Sequence, residues 1–306
     1  MKQKTHIKIW FSVILLIGFT VNCYSQPVPY RGIKNKQIID TCLYVITYKF
    51  KFIEDTVVKM PYYDKQVLEA GRQYIHYGSL YAEQLDSVWD NYANDPKPSK
   101  PRRDGSDGIN PSIELGLKPN EKSKFEDYYI NYPDKGSLRV TMAIELMEYE
   151  YSEPVPKQEW KISSDTATIL GYKCMKATTT FRGRTYNAWF TLMLPIRQGL
   201  WKFNGQPGLI LKVSDTKGYF EWVAIGIEQP RNSYIYIHQL DKKKVVVTSR
   251  ENVQKMQRKV WDDPMNLMLA QGSAVGQKVH FMTKDGKPAT NSELFRKPYI
   301  PPLELE

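Results

Sequence analysis

The chain has 306 residues, 42% of them apolar, enough to build a core for one large domain or two small ones. Its 21 Tyr, 11 Phe and 7 Trp favour sheets over helical bundles. The formal net charge of +10 is not concentrated in one region, and no nucleic-acid-binding motif accompanies it, which argues against a nucleic-acid partner.

In chain order, Lys2, Lys4 and Lys8 precede a mostly apolar stretch, Ile9 to Val21, too short to span a membrane. Cys23 and Ser25 are the small residues expected before a cut after Ser25. Residues 1–25 therefore read as a signal peptide, whose removal lowers the net charge by three. Lipidation of Cys23 is disfavoured, because Thr20 and Asn22 stand where a lipoprotein signal needs a Leu-like residue and a small one. The expected destinations are the periplasm, the outer-membrane surface or the medium. Export leaves Cys42 and Cys174, either a disulfide pair or two buried free thiols. No Cys/His spacing points to a metal, and no motif points to a cofactor.

Cys42 to Ile53 alternates as a strand, with Cys42, Tyr44, Ile46, Tyr48, Phe50 and Phe52 on one face. A strand pair follows in KQVLEAGRQYIHYGS, broken near Gly71, and then a helical pattern over Leu80 to Asn91. Residues of about 92–112 are rich in Pro, Gly and charge and read as a flexible insertion. Asp104 to Gly108 within it lacks the ligand spacing of a calcium loop. A strand meander comes next: Tyr128–Tyr132, Leu138–Tyr151, Glu159–Ser163, Thr168–Phe181, Arg184–Leu194, Leu209–Val213, Tyr219–Ile227, Tyr234–Leu240 and Lys244–Ser249. Arg182-Gly183 is the loop of one hairpin. Thr248 to Glu251 is a capping box opening a helix that Asp263-Pro264 ends or kinks. The expected fold is mainly β (α+β): a strongly curved antiparallel sheet or half-barrel with two or three helices. It forms one domain over residues 26–270, with a weakly ordered tail at 271–306.

The stretch WKFNGQPGLILKV, residues 201–213, sets a turn-rich centre, Asn-Gly-Gln-Pro-Gly, between two apolar edges. Pro207 and Gly208 fit the second and third positions of a type II turn. Leu209, Ile210 and Leu211 behind them describe a strand buried on both faces. Gly205, Gln206, Pro207, Gly208, Leu209 and Ile210 thus read as a structural corner, with no catalytic residue expected among them. This GQPGLI run resembles the signature of the GLPGLI family. ILGYKCMKATTTFRGRTYNAWFT, LPIRQGLWKFNGQPGLILKVSD, the REN and KVWDDP segments, YVITYKFKF and QVLEAG resemble that family's pattern too. Gln206 replaces the family's Leu, and Leu192-Met193 stands where a more polar segment is common. The resemblance implies an exported Gram-negative protein of no agreed activity, similar to the bowl-shaped N-terminal domain of some peptide N-glycanases. It implies no catalytic residues.

Nor do the residues supply any. Beyond the leader the histidines are His76, His238 and His280, and none forms a known catalytic or metal motif. His76 reads as a strand-edge imidazole. His238 with Asp241, or Glu145, Glu148 and Glu150 as a carboxylate set, would make a hydrolase conceivable, but solvated strand positions explain them more simply. Trp189, Tyr219, Trp222, Tyr234 and Tyr236 are candidates to line a ligand surface, because two or three helices leave part of a curved sheet uncovered. The favoured expectation is a non-catalytic module binding a lipid, glycan or peptide. A structural protein acting with an outer-membrane partner is the alternative, and a hydrolase has least support.

Overall fold

The computed structural model describes residues 36–54, 59–94, 111–197, 199–238, 245–274 and 303–304. The expected leader, the Asp104–Gly108 turn and Asp241 lie outside the described residues.

The chain opens with a long strand, β1 (Lys36–Ile53), a hairpin pair, β2 (Pro61–Gly71) and β3 (Ile75–Ser79), and a helix, α1 (Leu80–Asn94). A single helical turn, α2 (Pro111–Glu114), leads to the meander β4 (Glu126–Ile130), β5 (Ser137–Ile144), β6 (Met147–Pro154), β7 (Lys161–Ile169), β8 (Tyr172–Phe181) and β9 (Arg184–Thr191). Then come β10 (Leu209–Asp215), β11 (Phe220–Glu228), β12 (Tyr234–His238), β13 (Val245–Val247), α3 (Arg250–Asp262) and α4 (Pro264–Ala274).

The strands form one 13-stranded sheet in the order β13-β6-β5-β4-β3-β2-β1-β11-β10-β9-β8-β7, with β12 paired to the start of β1. Every pairing is antiparallel except that of β13 with β6. The sheet is curved and unclosed, as the alternation in the sequence foretold. Its bending has local causes. Register shifts at Thr47/Tyr48, Ile210/Lys212 and Ile162/Thr166 place extra residues on one strand of a pair, and each raises the local twist.

The strand alternation decides which side is core. Ile46, Tyr48, Phe50 and Phe52 of β1 are buried, while Lys49 between them is exposed. On β10, Leu209, Ile210 and Leu211 are all fully buried, so that strand is covered on both faces, as three consecutive apolar residues require. Two reversals pass unmarked in the periodicity. The stretch 138–151 is two strands, broken where Glu145 takes φ +53°, and 168–181 spans a hairpin whose loop is Leu170-Gly171 (φ +51° and +80°). Arg182-Gly183 does form a two-residue loop, with φ +49° and +74°.

Three local expectations are corrected. Gly208 is not among the positive-φ residues, so no type II turn forms there; the left-handed position is Gly205, φ +85°. Gly208 is needed for space instead, since a Cβ on it would run into the Thr191 carbonyl of the neighbouring strand. The N-cap of α3 is Ser249, whose hydroxyl accepts from the Asn252 N–H, one residue later than the capping-box reading placed it. Cys42 and Cys174 are free buried thiols rather than a disulfide. They sit on β1 and β8, four strand steps apart, about 19 Å along the sheet, whereas a disulfide needs Cα atoms within about 7 Å.

Candidate functional site

The inner face of the sheet carries a cavity of about 240 Å³. Its aromatic wall follows from register. Phe50 of β1 lies directly opposite Trp222 of β11, so their rings stack with centroids 4.5 Å apart and planes 9° from parallel. Phe52 continues the stack at 5.1 Å from Phe50, and Trp201 extends it at 6.2 Å from Trp222. Phe220 stands beside both Phe50 and Trp222. Opposite are Met142 and Ile144 of β5, and α3 closes one side with Val253 and Val260.

Polar groups in the wall are tied back into it. Trp222 Nε1 donates to Gln66 Oε1 at 3.0 Å, and the Tyr77 hydroxyl donates to the same oxygen. Trp201 Nε1 donates to the Tyr128 hydroxyl at 3.1 Å, which in turn donates to Glu126 at 2.5 Å. Asp64, behind Gln66, accepts from Ser79 Oγ, Gln66 Nε2 and the Lys124 N–H; burial pushes its carboxyl up to about 7 against those bonds. Ser79 also caps α1 by accepting from the Ala82 N–H. At one rim Glu54 sits between Lys122 (2.6 Å) and Lys124 (3.6 Å). Burial alone would raise its carboxyl, and the two ammonium groups hold it below the ordinary value.

A second polar cluster adjoins the cavity. The Lys202 side chain is fully buried, and its Nζ meets the Tyr151 hydroxyl at 2.8 Å, Glu153 at 2.8 Å and Glu304 at 2.5 Å. Arg182 and Arg250 contribute to the same two carboxylates. Burial would lower the Lys202 amine, yet Tyr151, Glu304 and Glu153 hold it above its ordinary value. No sequence motif announces this cluster. A lysine and a carboxylate a hundred residues apart look like solvated charges until the sheet folds, and the one available hint was Lys202 lying between the apolar Trp201 and Phe203.

Of the five aromatics expected to line a ligand surface, Trp222 lines the cavity; Trp189, Tyr219, Tyr234 and Tyr236 are not in its wall. Trp189 lies on the opposite face of β9 from the buried Ala188 and Phe190, under Lys176. Tyr234 and Tyr236 alternate with the buried Ile235 and Ile237. The wall is built instead by Phe50 and Phe52, which the sequence placed on one face of a strand, and by Trp201, which it placed at the apolar edge of the 201–213 stretch. Glu145 reaches the cavity, where burial raises its carboxyl, but Glu148 and Glu150 alternate with the inward Tyr149 and Tyr151, and Glu150 pairs with Arg139. The three carboxylates do not converge.

His76 is not a strand-edge imidazole. It is 8% exposed, held between Glu69 (Nδ1, 2.8 Å) and Asp127 (Nε2, 3.0 Å), and stacked on Tyr129. Burial lowers its basicity, and the two carboxylates more than reverse that, raising it to about 10. It alternates with Tyr77, so it faces away from the cavity, on the side where it meets the field of Glu83 in α1. An imidazole held between two carboxylates, its basicity raised by them, ties β2, β3 and β4 together and is poorly suited to proton transfer near neutral pH. His238 is buried, and its suggested partner Asp241 lies outside the described residues. Among the described residues no group of His, Cys, Asp and Glu has the arrangement of a metal site.

Residues 117–247 match the family model described as the N-terminal domain of peptide N-glycanase. Two solved structures of PNGF-II, in different crystal forms, superpose on the chain with TM-scores of 0.43 and 0.42 at 19% and 18% identity. They cover 72% of this chain but only 34% and 33% of their own length, so the chain spans about a third of those proteins. No curated protein sequence matches.

Proposed function

We propose that the chain is an exported, non-catalytic binding module of the bacterial cell envelope, of the GLPGLI type, with its ligand seated against the aromatic wall of the inner face. The observation that carries this is the stack of Phe52, Phe50, Trp222 and Trp201 bordering a cavity of about 240 Å³. The indole N–H groups of Trp222 and Trp201 are hydrogen-bonded and Phe50 and Phe52 are packed into the core, so little side-chain freedom is lost on binding. That volume lies below the about 300–1,000 Å³ of a drug-sized site, and so it suits a side chain, a sugar ring or part of an acyl chain. The non-catalytic reading is supported by the state of the cavity's acids. Glu54 lies between two lysines, Glu126 accepts from Tyr128 and Glu304 is held by Lys202 and Arg250, so the raised Glu145 faces no second uncommitted carboxylate among the described residues of the wall.

The test is native mass spectrometry of the protein purified from its own envelope, beside a Trp222→Ala variant. A retained small molecule lost in the variant supports the reading; a mass equal to the bare chain in both sinks it. A structural role with an outer-membrane partner is the second reading, favoured by the exposed pair Leu192 and Met193 next to the GQPGLI corner. Cross-linking from position 193 in intact cells to one membrane protein would support it.

A further inference from the structure

Leu303 and Glu304 lie in the wall of the cavity, 50 residues in sequence from the nearest side chain they bond, that of Gln254. Glu304 Oε1 is 2.5 Å from Lys202 Nζ. Its Oε2 accepts from Arg250 Nη1 at 2.9 Å and Gln254 Nε2 at 3.3 Å, and lies 3.9 Å from Arg182 Nε. The main chain is read as well. The Leu303 carbonyl accepts from Arg184 Nε at 3.2 Å and from the Tyr186 hydroxyl at 3.4 Å. The Leu303 side chain packs on the core cluster.

We propose that this basic cluster is a peptide-binding site for an apolar residue followed by an acidic one, and that Leu303–Glu304 occupies it as an internal competitor. The inference rests on the binding-module reading and names a ligand class for it. Three features are recognised together: a carboxylate, an amide carbonyl one residue before it, and an apolar side chain. A fatty acid has no such amide, and an acidic sugar has no such apolar side chain, so a peptide is the chemistry that satisfies all three. The charge balance explains why an occupant is needed. Apart from Glu304, the cations Lys202, Arg182 and Arg250 share Glu153 at 2.8, 2.9 and 3.7 Å, and Arg250 also reaches the exposed Glu251 at 3.6 Å. Three cations around one partly buried carboxylate, with Lys202 fully buried and Glu251 largely in solvent, favour a further anion at the centre of the cluster. An internal segment competes at an effective concentration on the order of millimolar, so it masks the affinity of the site for a free peptide.

The test uses the full-length protein and a fluorescein-labelled hexapeptide with the sequence of residues 301–306, followed by fluorescence anisotropy. Glu304→Gln weakens the internal occupant, and the variant is expected to bind the peptide at least tenfold more tightly than the wild type. A peptide with Gln at the position of Glu304 is expected to bind that variant at least tenfold more weakly. Adding Arg250→Gln, on the partly exposed side of the cluster, is expected to lower binding again while circular dichroism stays unchanged. Equal binding by wild type and Glu304→Gln, or equal binding of the Glu and Gln peptides, overturns the inference. A small molecule retained in the aromatic cavity without any peptide binding also overturns it, and leaves the binding-module reading intact.

Discussion

Replacing Lys202 by Met removes one buried positive charge and little volume. The stem stays buried, while Glu153, Glu304 and the Tyr151 hydroxyl each lose a partner. Breaking a buried ion pair costs about 3–5 kcal/mol when the remaining charge is stranded. Here it is not fully stranded, because Glu304 keeps Arg250 at 2.9 Å and Glu153 keeps Arg182 at 2.9 Å. The cost therefore falls at the lower end, about 3 kcal/mol, or roughly a 6–12 °C fall in Tm for a domain of this size. Urea unfolding followed by tryptophan fluorescence measures it, with an unchanged m-value as the control for a common denatured state. The pH behaviour is a second check. The folded amine is held above its ordinary value, so its contribution is complete below about pH 10 and is lost only above that. The gap between wild type and variant should then stay constant from about pH 6 to pH 9. A loss under about 1 kcal/mol, or a gap that closes within that range, would falsify the buried-cluster account.

Other consequences can be measured separately. With the folded His76 imidazole raised to about 10 from an ordinary value near 6.5, its stabilisation is complete below pH 6.5 and is lost as pH rises through 10. Wild-type stability should fall across that window more steeply than that of His76→Gln, and parallel curves would refute the pairing. Gln206 is buried with its side-chain oxygen unbonded among the described residues, and its amide makes one long bond, 3.4 Å, to the Arg197 carbonyl. Gln206→Leu should therefore raise stability by about 1 kcal/mol, since an unmet buried acceptor costs about 1–3 kcal/mol; a drop of that size would show an unseen partner. Cys42 and Cys174 are free, and burial pushes the Cys42 thiol up to about 11, so dithiothreitol should leave Tm unchanged and thiol reagents should react only after unfolding.

The architecture was readable because β1 and β10 state their burial in their spelling. Alternating aromatics over 42–52 give one buried face, and Leu209-Ile210-Leu211 gives two. The break at Glu145 was not readable, because a non-glycine residue in the left-handed region leaves no trace in hydrophobic period; the break at Leu170-Gly171 leaves no trace in the period either, and Gly171 was its one local signal. The cavity was half readable. Trp222 stood out as an inward aromatic, but its stacking partner Phe50 is fixed by inter-strand register, which alternation within a strand cannot supply. The basic cluster was least readable, since Lys202, Glu153 and Glu304 meet only through tertiary contact. His76 shows the same limit: its partners Glu69 and Asp127 come from the two flanking strands.

A sheet that stops short of closure leaves hydrogen-bonding groups of an outer strand open to any passing chain, and β7 is that strand here. Its nine residues, KISSDTATI, are mostly exposed, and they show how the hazard is contained. Lys161 and Asp165 put charge on the strand, Ser and Thr replace the aromatics of the interior strands, and the register breaks between Ile162 and Thr166. A second copy approaching side by side would have to desolvate those charges and would find no straight ladder longer than a few residues. Ile162 is the one large apolar side chain exposed there. Removing the lysine and the aspartate while keeping that isoleucine would turn the protected margin into a template for stacking one molecule on the next, so an unclosed sheet is tolerable here because its margin has been made a poor partner for itself.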